Sequence, residues 1–286
     1  MSENSTYFIE NKALFGPYPT LEDVNYLESI GVAYFVDLTE MDKLPPYTIS
    51  NKSKFIKFPI PDMKVPIDYI QFSSFIVYLD YTIKHLKDVE KMYIHCRGGN
   101  GRSGIVVACL LMRHHSYLNA LDAIQLTSKY HSERVNLKLK WKLIGSPQTT
   151  TQKNYILKMF SPFCFSRETF YGNKYGFVPY TKIPIYLEDM DYTFNDSQSL
   201  FKYLVAKKLY LSESDIYNCM KYVQSLKIAQ CPIFMNNLLN TTLRPIIYCN
   251  NHDKYWGLNK QGEGKNLLGK ILIELRDELL LKLYDG

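Results

Sequence analysis

Ten consecutive residues in the first half of the chain, 95–104, combine one nucleophile with groups that bind phosphate. They read His-Cys-Arg-Gly-Gly-Asn-Gly-Arg-Ser-Gly and place Cys96 six positions ahead of Arg102. Apolar residues 92–94 come just before and predict a buried strand, and the apolar run 104–112 predicts a helix. The ten residues are therefore expected to form a loop between a strand and the N-terminus of a helix.

Three glycines, at positions 98, 99 and 101, allow this loop to curl and to point successive backbone N–H groups at one place. The positive end of the helix dipole lies at the same place, so the loop is expected to bind a phosphate dianion. We predict that five residues bind the phosphate of a substrate: Arg97, Gly98, Gly99, Asn100 and Gly101. For Arg97, a solvated charge at the surface of the loop is the alternative.

The side chains at the two ends of the loop supply the chemistry. The helix dipole favours the thiolate form of Cys96, which is the nucleophilic form. The planar guanidinium of Arg102 can bind two phosphate oxygens at once, also when phosphorus becomes five-coordinate. Ser103 is expected to donate a hydrogen bond to the sulfur, and His95 to order the loop from beneath. The alternative is a buried free cysteine and a solvated arginine in a glycine turn. This chemistry requires neither a metal nor a cofactor.

The ten residues together resemble the signature of the cysteine-based protein tyrosine and dual-specificity phosphatases. The similarity continues in the segments 16–19, 27–40 and 54–62. It implies hydrolysis of phosphate monoesters through a phosphocysteine intermediate, with phosphotyrosine, phosphoserine or phosphothreonine of proteins as the substrate. The chain lacks the aromatic recognition loop of the large tyrosine-specific phosphatases, so a shallow pocket that admits all three is expected.

The resemblance also assigns two roles outside the loop. Asp62, 34 residues before the cysteine, becomes the general acid that protonates the leaving oxygen and then deprotonates water. The alternative for Asp62 is an ordinary turn residue, because Pro61 and Pro66 bracket it. The family segment that positions the hydrolytic water matches best at Gln152, with Gln148 as the second choice.

Strands alternate with helices through residues 1–160, which indicates an α/β domain with a mostly parallel sheet and a ligand at the carboxyl end of a strand. Strands are expected at 32–38, 54–60 and 91–95, and a long helix at 66–86. The spacing predicts the core-facing residues of that helix to be Ile67, Ile70, Phe75, Leu79 and Ile83. Two histidines of this domain are expected at the surface, His85 and His131.

Composition sets wider limits. A chain of 286 residues, 46 % of them hydrophobic, has room for two domains with two cores. A net charge of +6 suits anionic substrates but does not by itself indicate nucleic acid as a partner. Six cysteines without a CxxC pair argue against a metal site and a disulfide framework. The polar residues 1–6 argue against a signal peptide, and the run 104–112 is too short to span a bilayer, so a cytoplasmic protein is expected.

The aromatic and polar stretch 161–166 ends the first domain, and a second domain is predicted at 167–286. Its Asp-x-x-Trp-Gly element at 253–257 and its Gly-x-Asn-x-Leu-Gly element at 264–269, followed by a leucine-rich helix, resemble the NADAR family. This family is associated with NAD and ADP-ribose chemistry and includes N-glycosidases that act on ribosylated bases. The resemblance implies a smaller, largely helical domain that recognises ADP-ribose or a related nucleotide. The residues it places at that ligand are Asp253, Trp256, Gly257 and Asn266.

Two positions depart from the pattern of an active NADAR glycosidase. Gln198 and Tyr248 stand where acidic residues are expected, and neither supplies the carboxylate that glycosidase chemistry needs. Binding without cleavage is therefore the expectation, and packing is the alternative role for Trp256. The alternative function is an N-glycosidase for ADP-ribose or a ribosylated base, with the phosphatase acting on a nucleotide or RNA phosphate.

Overall fold

The computed structural model describes residues 4–40, 44–207 and 210–285. The chain divides into two compact units, Met1–Met159 and Phe160–Gly286. Both units bury apolar side chains among the described residues. No described helix is both long and apolar enough to cross a membrane.

The first unit is built on one five-stranded sheet with the strand order β1-β2-β5-β3-β4. β1 and β2 are antiparallel, whereas β2, β5, β3 and β4 run parallel to one another. The predicted α/β class with a mostly parallel sheet is therefore confirmed. The strands are β1 (Thr6–Ile9), β2 (Ala13–Gly16), β3 (Val32–Asp37), β4 (Lys54–Lys57) and β5 (Lys91–His95).

The helices of the first unit include the long helix that the sequence predicts, which begins three residues later than expected. Asp68 caps this helix, because its carboxylate accepts hydrogen bonds from the N–H groups of Ile70 and Gln71 at 2.9 Å each. The helices are α1 (Leu21–Ser29), α2 (Tyr69–Lys84), α3 (Arg102–His114), α4 (Ala120–Ser132), α5 (Leu139–Ile144) and α6 (Thr150–Met159).

The predicted core-facing residues of α2 are only partly correct. Phe75, Leu79 and Ile83 are buried, and Ile70 is half-buried. The prediction for Ile67 is wrong, since its side chain is 87 % exposed. The physical reason is the cap described above, which leaves Ile67 outside the helix and therefore off its core-facing stripe.

The central strand β5 ends at the loop that carries the nucleophile, and α3 begins where the loop ends. Residues 92–96 are buried, and so are residues 102–111 of α3. Because β3, β4 and β5 are parallel, their carboxyl ends meet at the same edge of the sheet. The predicted sequence of strand, glycine-rich loop and helix is therefore present.

The two histidines that were predicted at the surface, His85 and His131, differ in burial. His85 is exposed at the end of α2, as predicted. The surface position predicted for His131 is wrong, because its side chain is completely buried and its Nε2 lies 2.7 Å from Asn100 Oδ1. α4 packs against α3, and this packing turns His131 toward the loop that precedes α3.

The second unit is smaller and largely helical, as predicted, with two sheets of two strands each. The predicted junction 161–166 contains β6, which pairs in parallel with β9, so this stretch belongs to the second unit. The strands are β6 (Phe163–Phe165), β7 (Ile185–Leu187), β8 (Tyr192–Phe194) and β9 (Ile246–Tyr248). The helices are α7 (Phe170–Lys174), α8 (Ser197–Ala206), α9 (Glu213–Gln230), α10 (Pro232–Leu239) and α11 (Leu267–Asp285), with a 3₁₀ turn at Glu188–Met190.

Candidate active site

The predicted nucleophile lies at the bottom of the loop between β5 and α3. Cys96 is 2 % exposed, and its Sγ lies 3.6 Å from the Oγ of the completely buried Ser103. Ser103 is the second residue of α3, so its hydroxyl and the helix N-terminus both face the sulfur. This is the place where a hydrogen-bond donor stabilises negative charge on the sulfur.

The glycines of the loop are required by close contacts. Gly99 has φ +69°, and a Cβ atom there would lie 2.4 Å from the carbonyl carbon of Gly16. A Cβ atom at Gly101 would lie 2.8 Å from Nε2 of Gln152. A larger residue at Gly99 would push the loop away from the backbone of β2, whereas one at Gly101 would displace the side chain of Gln152.

Three polar side chains from outside the loop hold its backbone and its asparagine. Arg134 Nη1 donates to the carbonyl oxygen of Gly99 at 2.9 Å, and Ser146 Oγ donates to that of Asn100 at 2.5 Å. His131 holds the side chain of Asn100, as described above. We did not expect any of the three from the sequence, because they lie 31 to 46 residues beyond the loop residues that they contact.

A buried polar network lies beneath the loop around His95. Its Nε2 is 2.6 Å from the hydroxyl oxygen of Tyr47, and its Nδ1 is 3.8 Å from Oδ1 of Asp37. Lys57 in turn pairs with Asp37 at 2.5 Å. Burial lowers the pKa of His95 to about 4, against the opposing effect of Asp37. His95 is therefore neutral at neutral pH and acts as a fixed hydrogen-bonding support.

Arg102 and Asp62 contact each other. Arg102 is 4 % exposed, its Nη1 donates to the carbonyl oxygen of Ile60 at 3.2 Å, and its Nη2 lies 2.8 Å from Asp62 Oδ1. The side chain of Asp62 is 61 % exposed. An ion pair with so exposed a partner is weak, so a phosphate dianion can replace the carboxylate at Arg102.

Gln152 closes the site from α6. Its Oε1 accepts hydrogen bonds from the N–H groups of Gln148 and Thr149 at 3.1 Å each, and its Nε2 donates to the carbonyl oxygen of Lys64 at 3.2 Å. The cavity at the site has a volume of about 30 Å³, close to the space of one water molecule. Its lining includes Cys96, Arg102, Asp62, Gln148 and Gln152.

The structure therefore brings the predicted catalytic residues together, whereas Arg97 is at the rim. The side chain of Arg97 is exposed, and its carbonyl oxygen accepts a hydrogen bond from the N–H of Tyr18 at 3.1 Å. Among the described residues, no group of three or more His, Cys, Asp or Glu side chains is arranged to hold a metal ion.

In the second unit, the predicted ligand-binding side chains hold their own loop. Asp253 Oδ1 accepts hydrogen bonds from the N–H groups of Tyr255 and Trp256 at 3.1 and 3.0 Å. Asn266 accepts one from the N–H of Tyr248 at 3.0 Å and donates one to the carbonyl oxygen of Ile246 at 2.9 Å. These contacts fix the approach of the loop to β9.

The other two predicted residues of this group lie in close packing. A Cβ atom at Gly257 would come within 2.5 Å of the carbonyl oxygen of Tyr248. Trp256 is half-buried and packs edge-on against Phe201, with ring centroids 5.6 Å apart. A ligand role for these residues and for Asp253 and Asn266 stays a prediction.

Tyr248 and Gln198, which stand at the expected acidic positions, are uncharged in their surroundings. Tyr248 is 2 % exposed. Its hydroxyl group forms a hydrogen bond with the hydroxyl group of Tyr180 and accepts another from Nδ2 of Asn250 at 3.0 Å. Burial raises the pKa of Tyr248, so its hydroxyl stays protonated. Gln198 is the second residue of α8, and its N–H donates to the carbonyl oxygen of Pro179 at 3.1 Å.

Two family models match the chain, and they follow the two units. Residues 16–153 match the "Swiss Army Knife protein, DSP-PTPase phosphatase domain", and residues 206–280 match the NADAR domain. Both resemblances inferred from the sequence are confirmed.

Among known proteins, "Putative tyrosine phosphatase 197R" of Invertebrate iridescent virus 6 is 34 % identical over 274 residues, covering 94 % of this chain and 89 % of that protein. "Putative tyrosine phosphatase 067L" of Invertebrate iridescent virus 3 is 36 % identical over 161 residues, covering 56 % of this chain and 66 % of that protein. The crystal structure of Tk-PTP in its active form, 22 % identical, covers 55 % of this chain and 96 % of Tk-PTP with a TM-score of 0.44. The chain therefore belongs to the tyrosine phosphatase family of 197R and is a phosphatase hydrolase with a DSP-PTPase domain followed by a NADAR domain.

Proposed function

We propose that the first unit hydrolyses phosphate monoesters through a phosphocysteine intermediate formed on Cys96. The observation that supports this most strongly is one small cavity, at the carboxyl end of β5, that Cys96, Arg102 and Asp62 line together. A nucleophile, a planar cation and a carboxyl group are the three parts that transfer of a phosphoryl group to sulfur requires.

In the first step, the thiolate of Cys96 attacks phosphorus and the bond between phosphorus and the leaving oxygen breaks. Arg102 turns from Asp62 to the phosphate oxygens, which carry more charge in the transition state. Asp62, released from that pairing as a carboxylate, takes up a proton from the solvent and gives it to the leaving oxygen. The products are the free alcohol or phenol and phosphocysteine.

In the second step, water attacks the phosphocysteine, and Asp62 accepts the proton that the water loses. Gln152 lies at the same cavity and orients this water. The bond between sulfur and phosphorus breaks, and Ser103, 3.6 Å from the sulfur, donates a hydrogen bond to the returning thiolate. Inorganic phosphate leaves, and the enzyme regains its starting state.

A broad choice of substrate is expected, because the chain lacks the aromatic recognition loop of the large tyrosine-specific phosphatases. We therefore infer that proteins phosphorylated on tyrosine, serine or threonine are the substrates. The exposed Arg97 favours anionic surroundings of the phosphate.

For the second unit, we propose recognition of ADP-ribose or a related nucleotide without cleavage. A glycosidase stabilises an oxocarbenium-like centre with a carboxylate, and the residues at the two expected acidic positions are Gln198 and Tyr248. The hydroxyl of Tyr248 is bound by Tyr180 and Asn250, so it does not replace a free carboxylate.

Calorimetry with ADP-ribose, together with an assay for base release from ADP-ribosylated guanosine, tests this proposal. Binding without release supports recognition, whereas release of the base would establish the glycosidase instead.

The test of the phosphatase mechanism is hydrolysis of an aryl phosphate at neutral pH in the presence of a chelator. We expect Cys96→Ser to abolish turnover and Asp62→Asn to lower kcat by about 10²-fold or more. Cys164→Ser and Asp88→Asn are matched controls, because both side chains are exposed and outside the site. Turnover that survives in Cys96→Ser would refute the proposed nucleophile.

A further inference from the structure

Helix α5, which lies between α4 and α6 in the chain, carries two leucines on its outer side. Leu139 and Leu143 are one helical turn apart and therefore share a face of the helix. They are 71 % and 79 % exposed. None of the six residues of α5 is buried. Single exposed leucines are common, but these two form an apolar face that no other part of the described chain covers.

Lysines border this apolar face on both sides. At about 100° per residue, Lys140 and Lys142 project to opposite sides of the line that joins the two leucines. Both lysines are exposed, and so is Lys138 just before the helix. Among the described residues, none of these three ammonium groups pairs with a carboxylate. An apolar strip with positive charge along both edges is typical of helices that lie in the surface of a membrane.

The sequence around α5 has the charge that complements an anionic surface. No Asp or Glu occurs between Glu133 and Glu168, so every charged side chain in this stretch is a lysine or an arginine. Acidic lipids of a membrane attract such a segment.

The exposed leucines and the shape of α5 distinguish between the classes of anionic partner. Nucleic acid offers phosphates to the lysines but no apolar phase to two leucines. A partner protein that binds by an amphipathic helix needs a groove, whereas α5 buries none of its residues and stands out from the unit. A lipid bilayer accepts a protruding helix, with the leucines among the acyl chains and the lysines at the headgroups.

The inner side of α5 lies beside the active site. Trp141 is half-buried and lines, together with Gly98 of the phosphate-binding loop, a cavity of about 200 Å³. Gly98 also lines the catalytic cavity. A surface that holds α5 is therefore close to the entrance of the catalytic cavity.

We propose that α5 binds the surface of a membrane that contains anionic lipids. Leu139 and Leu143 insert among the lipid chains, and Lys138, Lys140 and Lys142 contact the lipid phosphates. This mode of binding needs no membrane-spanning helix, and so few groups make it weak and reversible. The inference goes beyond the phosphatase function, and it places the catalytic cavity next to phosphate esters on membrane-bound molecules.

The test is sedimentation of the full chain with two kinds of vesicle. One contains phosphatidylcholine alone, and the other contains equal parts of phosphatidylcholine and phosphatidylserine. One lysine near an anionic surface strengthens binding about fivefold, so we expect the partition coefficient to be at least about tenfold larger for the second kind. Raising the salt concentration is expected to weaken this binding.

Substitutions on α5 separate the contributions of the leucines and the lysines. We expect Leu139→Ser to lower the partition coefficient about fivefold and Lys142→Glu to lower it about tenfold or more. Val89→Ser and Lys87→Glu are matched controls with little effect, because both residues are exposed and precede β5 at the other edge of the sheet. Thermal unfolding checks that all four variants are folded.

A tryptophan probe locates the contact in the bilayer. The chain has two tryptophans, and both are replaced by phenylalanine in the background protein. Leu139→Trp is then added to one sample and Val89→Trp to the other. We expect lipids brominated in their acyl chains to quench the fluorescence at position 139 and not at position 89.

Three results would overturn the proposal: equal sedimentation with both kinds of vesicle, equal effects of the α5 variants and their controls, or equal quenching at the two probe positions. Two further results would assign the face to another partner. Loss of a dimer in Leu139→Ser, seen by ultracentrifugation, would indicate a second copy of this chain. Binding of single-stranded RNA that Lys142→Glu weakens and Leu139→Ser does not would indicate nucleic acid. None of these results bears on the role of Cys96, which has its own test.

Discussion

The two units each place a polar, glycine-containing loop between a strand and a helix, but they use its polar groups differently. In the first unit, His131 of α4, Arg134 just after α4 and Ser146 before α6 hold the loop of residues 96–101 by hydrogen bonds. In the second unit, the loop between β9 and α11 is held by its own Asp253 and Asn266. The first loop therefore has Cys96 and its backbone N–H groups free for a ligand.

This difference shows that residue type alone does not distinguish a binding group from a supporting group. Gly99 and Gly257 both allow a close approach of two backbones, and a Cβ atom at either would come within 2.5 Å of a backbone atom. In the first unit, side chains from other elements supply hydrogen bonds to the loop backbone, whereas in the second unit Asp253 and Asn266 of the loop itself supply such bonds. A polar group in a loop is available for chemistry when other residues supply the hydrogen bonds that hold the loop in place.

The largest expected effect is on activity, from Arg102→Lys. A lysine keeps the charge but loses the planar fork, so kcat/KM for an aryl phosphate is expected to fall about 10³-fold. Arg113→Lys is the matched control at the other end of α3, where the arginine pairs with Asp80. Steady-state kinetics of both variants, with thermal unfolding as a check of folding, measure the effect. A loss of less than tenfold in Arg102→Lys would show that this loop does not depend on a bidentate grip.

The next expected effect is a loss of stability of the first unit in acid. Burial lowers the pKa of both His95 and His131 to about 4, below the ordinary value of 6.5 for histidine. The unfolded chain binds more protons between these values, so stability is full above pH 6.5 and falls as the pH drops toward 4. The loss for the first unit is roughly 2 kcal/mol per histidine at pH 5.

Each unit contains one tryptophan, Trp141 in the first and Trp256 in the second, so fluorescence can follow each separately. Urea unfolding of a Trp256→Phe background at pH 7 and pH 5 reports on the first unit. His131→Asn is expected to remove about half of the acid effect, and His85→Asn, at an exposed position, none of it. An unchanged pH dependence in His131→Asn would mean that this histidine is protonated in the folded protein.

The stability of the second unit is expected to change at alkaline pH instead. Lys227 is completely buried, donates to the carbonyl oxygen of Gly176 and lies over the ring of Phe234. Burial lowers the pKa of Lys227 to about 7, against smaller opposing effects of Cys231 and Asp196. The unfolded chain therefore binds more protons between pH 7 and 10.5, and stability rises with pH in that range.

We expect the free energy of unfolding of the second unit to rise by roughly 2 kcal/mol from pH 7 to pH 9. Urea unfolding in a Trp141→Phe background measures it, and Lys227→Met is expected to flatten the rise. Lys221→Met tests whether any lysine of α9 has this effect, since Lys221 lies at the surface beside Glu274. A rise that persists in Lys227→Met would assign the pH dependence to another group.

The smallest expected effect is on the stability of the second unit, through the loop between β9 and α11. Asn266→Ala removes the hydrogen bonds to β9 and places alanine at φ +50°, which should cost the second unit about 1–2 kcal/mol. Phosphatase kcat/KM is expected to stay unchanged. Asn251→Ala is the control, because Asn251 is exposed and its Oδ1 accepts a hydrogen bond from the N–H of Lys260 at 3.1 Å. If Asn266→Ala leaves stability intact but weakens ADP-ribose binding, Asn266 is a ligand group instead.

Part of the fold and of the site could be read from local patterns. The strand before Cys96 and the helix from Arg102 follow from apolar runs on either side of the glycines, so the sequence predicts the loop and its position. Ile67 was mispredicted because its spacing fits the stripe of α2, whereas the cap at Asp68 starts the helix beyond it. Helical spacing does not show where a helix begins, and the cap decides this.

By itself, the sequence determined the reacting groups and their order, because a nucleophile, three glycines and an arginine within seven residues need only one turn of chain to act together. Only the tertiary structure decided which distant residues support them. His131, Arg134 and Ser146 carry no local pattern, and they reach the loop because α4 packs against α3 and the chain then turns back. Packing also decided which polar groups remain available, since Asn266 is bound to β9 whereas Cys96 lines the cavity of the first unit.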